Sequence, residues 1–165
     1  MDNSILLGLV QNTAILLALS LFYDYSWVKT EDTKNWLKKV LTGVVIGVIG
    51  LILMLTPWTL IPGIVFDTRS ILLSVSGLFF GTIPTLIAII ITATYRIILG
   101  GGGVYMGVAV IITAGFIGIL WKKFRPFWKE KNYRIELLVM GFIVHAVMLL
   151  CAFLLPEENR IDTMK

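Results

Sequence analysis

Polar positions along this chain fall into short clusters that separate five apolar stretches. Ile5–Tyr23 carries only Gln11 and Asn12 as strongly polar members, and Val40–Thr56 is closed by Pro57. Ile71–Thr94 runs without a single charge, Val104–Trp121 follows, and Leu137–Leu155 is closed by Pro156. A helix needs about 20 apolar residues to cross roughly 30 Å of hydrocarbon. Each stretch therefore reads as a crossing helix or close to one. The pattern predicts an all-α integral membrane protein, a polytopic helical bundle of about five hydrophobic segments. The Met1-Asp2-Asn3-Ser4 start has no basic region of the kind that opens a signal peptide. Ile5–Tyr23 is thus read as a retained span with the N-terminus outside.

The third stretch carries Gly81-Thr82-Ile83-Pro84 near its middle. Proline lacks an amide hydrogen and interrupts helices, and glycine makes a bend easy. Ile71–Phe80 and Thr85–Tyr95 would be two arms, each covering about half the hydrocarbon at 1.5 Å per residue. The competing reading is one tilted helix with a proline kink. Charge separates the two. Lys29, Lys34, Lys38 and Lys39 lie in the first polar cluster, and Lys122, Lys123, Arg125, Lys129, Lys131 and Arg134 in another. Five simple spans would divide the cations evenly between the two faces. A re-entrant third stretch gathers these ten of the 14 Lys and Arg on one face, as the positive-inside rule requires. Trp27, Trp36, Trp121, Trp128 and Tyr133 flank both clusters, the usual place for interfacial aromatics. A bundle broken at Gly81–Pro84 and re-entrant there is the reading favoured, inserted in the cytoplasmic (inner) membrane.

Composition agrees. Hydrophobic residues make up 58% and charged ones 15% of 165 residues, with mean hydropathy +0.91. A soluble domain carries about 25% charge, so a soluble enzyme or disulfide scaffold is excluded. The net charge of +4 belongs to the basic clusters, and no nucleic-acid partner is expected. Cys151 is the one cysteine and has no intrachain partner. No low-complexity tail or second domain is visible, so residues 1–165 read as a single transmembrane domain.

The hairpin has a chemical consequence. Asp67-Thr68-Arg69 opens its first arm and Tyr95-Arg96 closes the second, so both guanidiniums would face the same side. Ionisable groups at membrane depth are functional candidates, and arginine offers a planar fork that suits a carboxylate. Gly100-Gly101-Gly102-Gly103 follows directly and could bring backbone close to a ligand. It has neither the lysine nor the preceding strand of a phosphate loop. The candidate ligand-binding set is Asp67, Arg69, Tyr95, Arg96, Gly100, Gly101, Gly102 and Gly103. Snorkelling arginines and a plain flexible turn remain the alternative. The pairs Gly43/Gly47, Gly77/Gly81 and Gly103/Gly107 allow close helix approach. They are read as packing within one chain, with a homodimer as the other use of the motif. His145 has no acidic or Cys neighbour at ligand spacing and is read as a hydrogen-bonded packing residue. No catalytic set, metal site or cofactor is expected.

The run Asp67–Pro84, followed by Tyr95-Arg96 and Gly100–Gly103, resembles the five-transmembrane receptor region of the LytS–YhcK type. That pattern has an Asn/Asp-x-Arg before an apolar glycine-rich run broken by glycine and proline, then an aromatic or His with Arg, then a glycine-rich turn. The resemblance covers roughly residues 4–156 and is most specific over Asp67–Gly107. It implies the signal-input domain of a sensor histidine kinase or related receptor, responding to a small extracellular carboxylate such as pyruvate through Arg69 and Arg96. Pyruvate-responsive members carry Cys and Ser where this chain has Gly107 and Val110, which favours a small anion over pyruvate itself. The resemblance also implies a C-terminal output domain as partner and a further helix, neither within these residues. The alternative from another class is a small-solute-binding membrane subunit of a transporter.

Overall fold

In the computed structural model the described residues are 36–55, 58–61, 64–66, 68–101, 103–124 and 133–151, with Val10, Thr13, Ala14 and Leu17. Those four early positions are helical and exposed. The rest of Ile5–Tyr23, most of both basic clusters and the tail beyond Cys151 lie outside the described residues. The elements are α1 (Trp36–Leu55), β1 (Trp58–Ile61), β2 (Ile64–Phe66), α2 (Arg69–Phe79), α3 (Thr82–Leu99), α4 (Val104–Phe124) and α5 (Tyr133–Cys151). α1, α3 and α4 are long and apolar enough to cross a membrane. α2, with 11 residues, reaches only about 16 Å at 1.5 Å per residue.

The directions of the helices follow from where their glycines meet neighbours. On α1, Gly43 lies against Pro84 and Ile87, Gly47 against Ile91, and Gly50 against Thr92 and Leu72. α1 and α3 therefore run parallel and side by side. On α4, Gly118 meets Ser74, Gly115 meets Thr85 and Ile89, and Gly107 meets Arg96. At the far end Lys122 reaches Phe79 and Gly81. α2 thus runs parallel to α4, and α3 runs antiparallel to both. The small residues work within one chain, as read from the sequence: they remove the side-chain layer where helices touch. The α2–α4 contact is backbone against backbone: a Cβ on Gly77 would fall 2.6 Å from the Ile119 nitrogen, and one on Gly118 would meet the Ser74 carbonyl.

This geometry gives the bundle two distinct ends. Lys38 and Lys39, in the first turns of α1, share one end with Lys122 and Lys123, in the last turn of α4. We call it the basic end. The charge argument for a hairpin is met here, since both basic clusters enter the bundle at this end. Leu99 and Val104, with the glycines between them, mark the opposite end, which we call the glycine-turn end.

α2 and α3 form the hairpin, but its arms are unequal. The second arm is 18 residues, Thr82–Leu99, instead of one stopping at Tyr95. Consequently the bend sits beside Lys122 at the basic end and not at half depth. The break is made by Gly81, whose φ of +85° only glycine adopts without strain. Pro84 is not the breaker. It occupies the first turn of α3, where the amide it lacks would have no intrahelical partner. The first helical bond of α3 runs from the Thr85 amide to the Gly81 carbonyl at 3.3 Å.

The core lies between α1, α2, α3 and α4, around Ile46, Leu53, Leu72, Leu73 and Ile111, all fully buried. Ile90, Tyr105 and Phe142 stand outward, the apolar exterior expected of a bundle solvated by lipid tails. His145 is hydrogen-bonded as expected, with Nδ1 2.8 Å from the Gly141 carbonyl, but it is exposed on α5 and packs in no core. β1 and β2 pair antiparallel, Trp58 opposite Phe66 and Thr59 opposite Val65. This ribbon was not among the expected elements.

Candidate functional site

The two arginines stand 27 positions apart in the chain and reach one level in the bundle. Gly50 touches both Leu72 of α2 and Thr92 of α3, so those two residues mark a shared layer. Arg69 lies three residues before Leu72, and Arg96 four residues after Thr92. Because the helices run in opposite directions, both arginines sit about one turn beyond that layer, toward the glycine-turn end. The descending half-helix α2 begins with Arg69 itself, and the last turn of α3 carries Arg96.

Arg96 is half-buried and anchored. Its Nη1 donates to the Gly100 carbonyl at 3.1 Å, which also favours the positive group at the C-terminal end of α3. Its Nε is buried and has no hydrogen-bond partner among the described residues. Arg69 is half-buried too, with Nε shielded from solvent. Thr68, preceding it at the N-cap of α2, makes no capping bond, and its Oγ1 is buried without a partner among the described residues. An unsatisfied buried polar atom costs about 1–3 kcal/mol. Two of them, Thr68 Oγ1 and Arg96 Nε, lie at this one level.

The glycine turn is shaped by backbone. Gly100 and Gly101 have φ of +70° and +92°, a conformation other residues rarely hold. No atom would obstruct a side chain at either position, so conformation alone demands glycine there. The turn points the Gly100 carbonyl at Arg96 and lets the Gly101 carbonyl accept from Val104 as α4 begins. Gly103 accepts from Gly107 in the first turn of α4. Tyr95 is half-buried beside Arg96 in α3. Asp67 and Gly102 lie outside the described residues.

One residue escaped the sequence reading: Thr68 was visible only as a neighbour of Arg69, and no sequence signal marks an unspent hydroxyl. Gly107, read as a packing partner of Gly103 and as the position where pyruvate-responsive members carry Cys, faces the Arg96 side chain, at 2.5 Å from Nε to a Cβ built on it.

With this geometry established, comparison with known proteins is decisive. A family model described as the 5TMR of 5TMR-LYT matches residues 9–165. The chain belongs to this family, the LytS-type five-transmembrane receptor region. No curated protein and no solved structure matches it. The 5TMR-LYT chain is accordingly a multi-pass membrane protein and a receptor region. Among the described residues α1, α3 and α4 are long and apolar enough to cross a membrane, and the half-helix α2 is additional to them.

Proposed function

We propose that this 5TMR-LYT chain is the ligand-sensing input domain of a LytS-type sensor histidine kinase or related receptor. It detects a small carboxylate, pyruvate among the candidates, arriving from outside the cell. Arg69 and Arg96 hold the ligand at the glycine-turn end, with Tyr95 and the Gly100–Gly103 turn around it. The observation that carries this reading is the convergence of Arg69 and Arg96 on one level, next to the buried Thr68 Oγ1 and Arg96 Nε. Charge-assisted contacts to a carboxylate are short, directional and roughly twice as strong as neutral ones. The orientation rests on the positive-inside rule, which assigns the basic end to the cytoplasm and the glycine-turn end to the exterior. An output domain following the chain would read the ligand state at the cytoplasmic end. The chain itself is assigned no catalytic step.

Calorimetric titration of the detergent-solubilised chain with pyruvate, acetate and oxalate tests the site. We expect saturable binding, weakened roughly 10- to 150-fold by Arg69→Ala or Arg96→Ala, the equivalent of about 1.5–3 kcal/mol for a bond to a charged group. Arg→Lys restores part, because lysine keeps the charge without the fork. Equal affinity in parent and both alanine variants rules the site out. The orientation is checked separately with Thr33→Cys and Asn132→Cys in a Cys151→Ser background. Neither should react with an impermeant maleimide on intact cells.

A further inference from the structure

α5 carries two features that the packing of the described residues does not explain. Every other glycine described inside a helix has a neighbouring segment within 4 Å of a Cβ built on it, but around Gly141 there is open space. One turn further on, His145 is exposed at the middle of the span. Its Nδ1 lies 2.8 Å from the Gly141 carbonyl. A carbonyl only accepts, so Nδ1 carries the proton and Nε2 is left as an acceptor. Nε2 has no partner among the described residues. Ionisable side chains at this depth almost always face protein or water and not lipid. Small residues that permit close approach, with a histidine bonding across, are a recurrent way of joining membrane helices. Leu138, Gly141, His145 and Leu149 share one face of α5, and His145 is its single polar side chain.

We propose that this face of α5 seats the chain's own first span, Ile5–Tyr23, with the Asn12 amide donating to His145 Nε2. Gln11 and Asn12 are the strongly polar members of that stretch, and neither takes part in the proposed carboxylate site. Three observations select this occupant. Val10, Thr13, Ala14 and Leu17 are helical and exposed, and they form one stripe. At about 100° per residue, Asn12 falls on the side opposite that stripe. The levels also agree. α1 starts at the basic end, so Tyr23, just ahead of it in the chain, closes the first span at that end. Asn12 precedes Tyr23 by 11 residues and His145 follows Tyr133 by 12, about 16 and 18 Å along antiparallel helices. The chemistry agrees as well, since an asparagine amide brings N–H donors to a bare acceptor. The α5 of a second copy would bring only another Nε2 acceptor on the same apolar face, and the pair would stay incomplete.

The test needs no ligand. Leu19 follows Asn12 by seven residues and Leu138 precedes His145 by seven, two turns toward the basic end in both helices. Leu19→Cys with Leu138→Cys, in a Cys151→Ser background, is oxidised in native membranes and the products are separated by mass. A disulfide within the monomer forms with this pair and not with Leu17→Cys and Leu138→Cys, because Leu17 belongs to the exposed stripe. A disulfide-linked dimer overturns the proposal and gives the face to a second copy. Equal yields from the two pairs, or no link from either, overturn it too. The hydrogen bond is tested by thermal unfolding of purified Asn12→Leu, His145→Leu and the double variant. Each single change lowers the midpoint, and the double change lowers it by less than the two losses together, because donor and acceptor leave at once. Strictly additive losses overturn the pairing of Asn12 with His145.

Discussion

The two ends of the α2–α3 hairpin are built on opposite principles. At the basic end the buried hydroxyls of Ser76 and Thr85 and the carbonyls of Ser76, Phe79 and Gly81 are all paired within the chain. Thr85 Oγ1 donates to the Gly81 carbonyl at 2.8 Å, which leaves the Ser76 hydroxyl to donate to Thr85 Oγ1 at 3.0 Å. The amides of Phe80 and Gly81 both reach the Ser76 carbonyl, and Lys122 Nζ donates to the Phe79 carbonyl at 3.1 Å. At the glycine-turn end Thr68 Oγ1 and Arg96 Nε are buried with no such answer among the described residues. A closed network specifies one structure, and every partner lost from it leaves a buried group exposed to the full desolvation cost. An open one holds stability in reserve for whatever completes it. The same hairpin therefore joins a structural end to a receptive end, only about 16 Å apart along α2.

Three substitutions would break or sharpen that contrast. The largest effect is expected where α2 meets α4 in the basic half. A side chain at Gly118 drives directly into the Ser74 carbonyl, and neither backbone can yield without parting the helices. Gly118→Val should cost about 3 kcal/mol or more, the upper end for overpacking. Chemical unfolding in detergent would show it, and a loss below 1 kcal/mol would deny that backbone contact there holds the hairpin.

Next comes Thr85→Val, which keeps the side-chain shape and deletes the hydroxyl at the centre of the closed network. It strands the fully buried Ser76 hydroxyl, while the Gly81 carbonyl keeps the Thr85 amide. A stability loss of about 1–3 kcal/mol is expected, with carboxylate affinity unchanged. Affinity falling in parallel with stability would mean that the two ends are not separable.

The smallest change is Thr68→Val at the open end. Its hydroxyl makes no capping bond and is buried without a partner among the described residues, so valine removes a desolvation cost and stability should rise by about 1 kcal/mol. Pyruvate titration should nevertheless weaken roughly 2- to 10-fold, the scale of one neutral hydrogen bond. Unaltered affinity would remove Thr68 from the site and leave the arginines to account for binding.

Much of the architecture could be read from residue order, for definite reasons. Hydrophobic length is a one-dimensional property, so α1, α4 and α5 appear within a few residues of their expected limits. α1 begins at Trp36 and α5 at Tyr133, ahead of Val40 and Leu137, because Lys38 and Lys39 are sound helix formers whose stems lie along apolar surface. Charge is additive, so the partition of lysines and arginines disclosed the hairpin before any contact was known. Proline misled: a residue that breaks a helix interior is tolerated in a first turn, and Pro84 stands there. The β ribbon had a usable signal in Pro62-Gly63 between Trp58–Ile61 and Ile64–Phe66, a turn pair flanked by β-branched and aromatic residues. That Arg69 and Arg96 reach one level could be read from the hairpin alone. The contact of Gly107 with Arg96 could not, because which side chain lies over a glycine is decided by the meeting of two helices and leaves no period in either.

The half-helix α2 also bears on how the protein is made. Eleven residues are too few to enter lipid as an independent span. The surface that receives it, the glycine face of α4, is translated later, with Lys122 following Phe79 by 43 residues. At about 5–20 residues per second, α2 leaves the ribosome several seconds before its mate exists. It is therefore a passenger in biogenesis, committed to the bilayer only when α4 arrives to carry it.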